Sequence, residues 1–180
     1  MKLLLAMAWA TVHAQIDLKN ALIKLRDGTT PTPVEITVKV GEGNLTYSEK
    51  RNMIYTLDRG VLDEVREGDQ VPVDVNLGLV WEYITGSDYT GAVGTIEDFI
   101  KKRGLYAANV SVDSDACRPY AVDVVVEYEP PCSGGSNPRP NETIILADFR
   151  YESLDHDLRA ATIAIVGKCN VTQATATRSA

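Results

Sequence analysis

Val71, Val73, Val75, Leu77, Leu79 and Trp81 alternate with Asp74, Asn76 and Glu82. A repeat of two residues puts every apolar side chain on one face of an extended strand and every polar one on the other. A chain built on this pattern folds as antiparallel sheet with one face buried, and the run predicts one long strand of more than about 35 Å at 3.3 Å per residue. The same alternation recurs in residues 18–26 and 34–40, with Val34, Ile36, Val38 and Val40 on one side and Glu35, Thr37 and Lys39 on the other. Between them Asp27-Gly28-Thr29-Thr30-Pro31-Thr32-Pro33 carries turn residues, which predicts a hairpin. Further strands are expected near residues 120–129, 143–152 and 161–168, the first two separated by Pro130-Pro131-Cys132-Ser133-Gly134-Gly135.

One short helix of about ten residues breaks the series. Thr95 is placed to cap it, Glu97 and Asp98 suit its first turn, and Ile96, Phe99 and Ile100 give an apolar face. Lys101-Lys102-Arg103 and Gly104 close it. Strands with one helix among them predict a mainly β fold, an antiparallel β-sandwich or open barrel with a short flanking helix. With 180 residues a single domain over 18–169 is expected, bearing an N-terminal arm over 1–17, an inserted loop over 42–70 and a C-terminal arm over 170–180.

The 42–70 stretch is rich in charge and glycine, with a strand-like middle and turn signals at Arg59-Gly60 and Glu67-Gly68-Asp69. So long an insertion is read as an interaction element, the alternative being two ordinary strands joined by a charged turn. Its mixed charges suit polar contacts between subunits. Tyr47, Arg51, Met53, Ile54, Arg59, Val61, Leu62, Val65 and Arg66 are the candidate interface residues, the apolar ones forming its centre.

Charge narrows the partners. Eighteen Lys and Arg against 25 Asp and Glu give −7, so the chain as a whole repels nucleic acid and anionic lipid. Three Cys and two His supply neither a dense disulfide framework nor a four-cysteine zinc site. Cys117 and Cys132 flank a strand, so at most one of them could reach Cys169, and free buried thiols are expected. No P-loop, Rossmann, G-x-S-x-G or H-E-x-x-H pattern occurs. Asp155-His156-Asp157 is the most enzyme-like cluster, but neighbours in sequence point in different directions, and a solvated turn is the expected setting. No enzyme activity, metal or cofactor is expected.

The first 15 residues read like a secretory leader, with Lys2, an apolar run from Leu3 to Ala10 and Val12-His13-Ala14 as a cleavage site. N-x-S/T sequons at Asn44, Asn109, Asn141 and Asn170 point the same way. They support a secreted or cell-surface β-sandwich binding module as the alternative function. A retained arm, or a start at Met7, is the expectation, and the apolar run is shorter than the roughly 20 residues that span a bilayer.

Three blocks resemble the tail tube proteins of long-tailed bacteriophages. The first runs from Asn44-Leu-Thr-Tyr-Ser-Glu-Lys-Arg-Asn52 through Leu57-Asp-Arg-Gly-Val-Leu-Asp-Glu-Val-Arg-Glu-Gly-Asp69 to Trp81-Glu-Tyr-Ile-Thr-Gly86. The second runs from Asp115-Ala-Cys-Arg-Pro-Tyr120 to Pro131-Cys132, and the third from Asp148-Phe-Arg-Tyr-Glu-Ser-Leu-Asp-His-Asp-Leu158 to Gly167-Lys-Cys-Asn-Val-Thr172. The resemblance implies a structural virion protein assembled in the host cytoplasm. Six copies would form a ring, and rings would stack into a hollow tube that carries the genome. It implies self-association, contacts with tail terminator, baseplate or distal tail and tape measure proteins, passage of double-stranded DNA without tight binding, and no membrane. A conduit of this kind needs a wall that does not hold phosphates, and Glu35, Asp74, Asp123 and Glu127 are the acidic candidates for a lumen-facing surface.

Overall fold

A computed structural model describes residues 18–84, 93–130 and 141–179. The sequence alternation becomes a curled antiparallel sheet. After a 3-10 turn at Leu18–Asn20, β1 (Ala21–Arg26) and β2 (Glu35–Val38) form the expected hairpin, with Leu25 opposite Ile36 and Ile23 opposite Val38. β3 (Leu45–Ser48) precedes an excursion of two strands, β4 (Met53–Asp58) and β5 (Val61–Glu67), and the chain returns as β6 (Val73–Val80). The pair β7 (Tyr83–Ile84) and β8 (Gly94–Thr95) leads into α1 (Ile96–Ile100) and a 3-10 turn at Gly104–Tyr106. β9 (Val122–Tyr128), β10 (Asn141–Asp157), β11 (Thr162–Cys169) and β12 (Thr175–Ser179) complete the fold.

The main sheet runs β2-β1-β9-β10-β11-β6-β3, with β12 paired to β10. Its two ends approach each other. The chain leaving β2 crosses to the far end, the Val80 N–H donates to the Lys39 carbonyl at 2.8 Å, and the next residues pair with β6 as β3. The result is an open barrel around one core, fed by Ile23 and Leu25 of β1, Val73 to Leu79 of β6, Val122 to Val126 of β9, and Ile163 and Ile165 of β11. α1 closes the core with Ile96, Phe99 and Ile100, and Phe99 meets Tyr106 edge to face at 5.1 Å.

Four expectations need correction. The long strand is not residues 71–81: β6 has eight residues, since Pro72 has no N–H to give a ladder. It is β10, with 17 residues, about 56 Å at the usual rise. β10 is long because its halves serve different neighbours. Residues 142–149 pair with β9 on one edge and residues 141–145 with β12 on the other, and residues from Phe149 onward pair with β11. Register shifts at Leu146/Phe149 and Tyr151/Ser153 break its alternation, which hid its length. As a second correction, Asp155, His156 and Asp157 lie on this strand, and the turn comes after them. As a third, α1 has five residues rather than about ten. Thr95 and Asp98 form the expected capping box, but Lys101 already leaves helical geometry and Lys102 has φ +52°. The fourth concerns cysteine: Cys117 and Cys169 are free thiols, but only Cys169 is buried, with its thiol pushed up to about 12 by burial and the charges of Asp123 and Asp148. Residues expected as an extended C-terminal arm form β12 on the edge of β10. Residues 1–17, Cys132 and the Pro-Gly segment around it lie outside the described residues.

Asp27 does more than mark a turn. Its carboxylate, 1% exposed, accepts from the Thr29 hydroxyl, the Thr29 N–H, the Val34 N–H at 2.6 Å and the Val110 N–H at 3.1 Å. Burial alone would raise its pKa, but these bonds outweigh burial and hold the carboxyl below its ordinary value. Gly28 beside it leaves no room for a side chain, since a Cβ would sit 2.2 Å from the Ser111 carbonyl oxygen. One residue thus ties the β1–β2 hairpin to the segment after α1.

Candidate assembly surfaces

The excursion over residues 42–70 divides in two. Tyr47 belongs to the main sheet, opposite Val75 on β3, and is 40% exposed. Met53 to Glu67 form a separate hairpin in which, among the described residues, β4 pairs only with β5. Arg59 (φ +49°) and Gly60 (φ +84°) make its two-residue turn, the left-handed pair that matches strand twist. All 13 strand residues of this hairpin are exposed.

Its two faces differ. The register pairs Tyr55 with Val65 and Leu57 with Leu62, so Met53, Tyr55, Leu57, Leu62 and Val65 share one face, with Glu67 at the neck. Ile54, Thr56, Asp58, Val61, Glu64 and Arg66 share the other. The candidates Met53, Leu62 and Val65 therefore lie on one face, while Ile54, Val61 and Arg66 point the opposite way. Tyr55 and Leu57, 60% and 61% exposed, were missed by the sequence reading. The signal was present in the alternation Met53, Tyr55, Leu57, obscured by the register shift after Thr56. At the neck the Gly68 N–H donates to the Asn52 carbonyl and Glu49 accepts from the Ala174 N–H, both at 2.7 Å. Arg51 sits there, and Arg51, Arg59 and Arg66 meet no carboxylate among the described residues.

The outward face of the main sheet also has two parts. On β2-β1-β9, Lys24 bridges Glu127 at 2.8 Å and Glu35 at 3.7 Å, and Arg26 meets Asp123 at 2.8 Å. The hydrogen bond to Glu127 is the main cause that raises the Lys24 pKa. Three of the four acidic candidates are thus paired across three neighbouring strands. The fourth, Asp74, lies on β6 towards the other end of the sheet and meets Lys50 at 2.5 Å. Because the sheet curls round its core, β9 and β6 present their outward faces in different directions. The other part, on β11-β6-β3, is uncharged at its centre. Thr46, Asn76, Gly78, Ala164 and Val166 line a shallow groove of about 210 Å³. No described element covers it: Thr46, Asn76, Ala164 and Val166 are all exposed. Asp155 and Asp157 stand beside it on β10, opposite Ala164 and Thr162.

His156 faces the other way. Its Nε2 lies 3.3 Å from Glu97, and its ring meets Trp81 edge on at 5.1 Å. Glu97 also accepts from Lys101 and Arg103, each at 2.7 Å, and the Lys101 hydrogen bond is the main cause holding its carboxyl low. The group braces α1 against β10. Among the sequon asparagines Asn109 is 6% exposed, so a glycan there would require the segment to unfold.

No family model matches the chain, and no curated protein matches it. Among solved structures, a chain of the PVC sheath/tube terminator of an extracellular contractile injection system, in its extended state, aligns over 93% of this chain and 99% of its own. The identity is 11% and the TM-score 0.53, so the two share a fold. A chain of the anti-feeding prophage baseplate aligns over 93% and 97% at 12% identity, but its TM-score of 0.38 is below the level of a shared fold. The fold of this chain is thus one found in a phage-tail-like particle.

Proposed function

We propose that this chain is a structural subunit of a phage tail or tail-like particle, and that copies of it join as rings, six to a ring, which stack into a hollow tube for the genome. The observation that carries the reading is the β4–β5 hairpin. A lone two-stranded ribbon is marginal in water, and this one displays five apolar side chains on one face, exposed among the described residues. A ribbon of that kind is completed by a partner. The shared fold with a terminator chain supports a place on the particle axis, and the blocks that resemble tail tube proteins support the tube itself. The role is structural: His156→Ala is expected to leave assembly intact.

A second reading is favoured by the terminator likeness: rings that end a tube rather than extend it. Negative-stain electron microscopy with mass photometry on one concentrated sample separates the two. Hollow tubes support the tube reading, six-membered rings that never stack support the terminator reading, and monomers at every concentration and salt contradict both.

A further inference from the structure

No described element covers the hairpin or the uncharged sheet face, and the two match. Met53, Tyr55, Leu57, Leu62 and Val65 expose roughly 500 Å² of side chain on ordinary residue areas. Covering that patch buries about 1,000 Å² counting both partners, the lower bound for a specific protein contact. The groove over Thr46, Asn76, Ala164 and Val166 is as wide as three strands and carries no charge at its centre. Charge sets the direction. At the hairpin tip Arg59 has no acidic partner, and at the rim of the groove Asp155 and Asp157 have no basic partner among the described residues. With Arg59 over these carboxylates, Leu57 falls over Ala164 and the neck of the hairpin falls towards Thr46 and Asn76. The hairpin does not reach this face of its own chain, since its apolar residues remain exposed.

We propose that the apolar face of the β4–β5 hairpin of one copy docks on the outward face of β11-β6-β3 of the next, with Arg59 of the first against Asp155 and Asp157 of the second. The two patches are different surfaces, so the contact is head to tail, and repetition closes a ring or winds a filament rather than stopping at a dimer. The inference rests on the ring reading and adds which surfaces meet. It leaves the ion-paired face of β2-β1-β9 in water, where Lys24 and Arg26 already neutralise Asp123 and one charge of Glu35 and Glu127.

The test is cross-linking in a Cys117→Ser, Cys132→Ser background, where the buried Cys169 stays unreactive. Leu57→Cys and Ala164→Cys are made singly and together and treated with a short bis-maleimide. The expected result is a dimer only when the two single variants are mixed, and a ladder of multimers from the double variant. Leu57→Cys linking to itself shows hairpins meeting each other and overturns the proposal. Rings by microscopy without a Leu57–Ala164 link overturn it while the ring reading stands, whereas neither rings nor links removes both. A charge exchange gives a second readout: Arg59→Asp and Asp155→Arg each raise the protein concentration needed for assembly by about tenfold, and the two together bring it back. No recovery in the double variant overturns the Arg59–Asp155 contact.

Discussion

The barrel body and the β4–β5 hairpin are written in the same period-two code, yet one buries its apolar face and the other displays it. In the body, Val73, Val75, Leu77 and Leu79 are at most 1% exposed because α1 and the far side of the curled sheet lie over them. In the hairpin, Tyr55, Leu57, Leu62 and Val65 follow a similar alternation at 52% to 67% exposure. Alternation dictates two faces; it does not say what covers the apolar one. Where the described chain supplies the cover, the residues set stability, and where it does not, association is the role proposed for them. That division can be broken or sharpened by substitution.

The largest effect on folding is expected in the body. Phe149→Ala removes a fully buried ring and should cost about 3–5 kcal/mol in chemical denaturation. Next comes Asp27→Ala, which removes the buried carboxylate that accepts from the Val34 and Val110 N–H groups; a loss of about 1–3 kcal/mol is expected. Asp27 also gives a pH signature. Its folded pKa lies below the unfolded value, so its contribution is complete above about pH 4 and is lost as pH falls through the lower folded value. The stability gap between wild type and Asp27→Asn should therefore narrow on acidification, and a gap that widens would contradict the assignment.

Hairpin changes should reverse the pattern. Tyr55→Ser with Leu57→Ser is expected to move the denaturation midpoint of the dilute protein by less than about 0.5 kcal/mol while abolishing rings in mass photometry. A large loss of stability would mean the hairpin is covered by its own chain. Smallest of all, Glu127→Lys is expected to leave folding and assembly unchanged. On the conduit reading it slows DNA ejection, and unchanged ejection kinetics would remove this face from the lumen.

Much of the body was legible in the sequence, because a buried face enforces alternation. Ile36 and Val38, Leu77 and Leu79, and the Thr95 cap all lie where their pattern puts them. β10 was not legible at full length, because bulges and the left-handed Asp148 (φ +61°) shift its alternation part way along. The partners of Glu35, Asp123 and Glu127 were invisible for a different reason: a strand pattern gives a residue's face but not its cross-strand neighbours, so the pairing to Lys24 and Arg26 came only with the sheet order. The same gap concealed that Met53 and Leu62 share a face that Ile54 and Val61 do not.

Hydrogen exchange followed by peptide mass spectrometry, on dilute protein and on the concentrated assembly, tests the division between body and hairpin most directly. The account predicts that amides of residues 53–67 exchange quickly when dilute and become protected on assembly, while β9 and β11, each laddered on both edges, are protected throughout. A hairpin as protected as β9 in the dilute protein, or unprotected in rings and tubes, would contradict it.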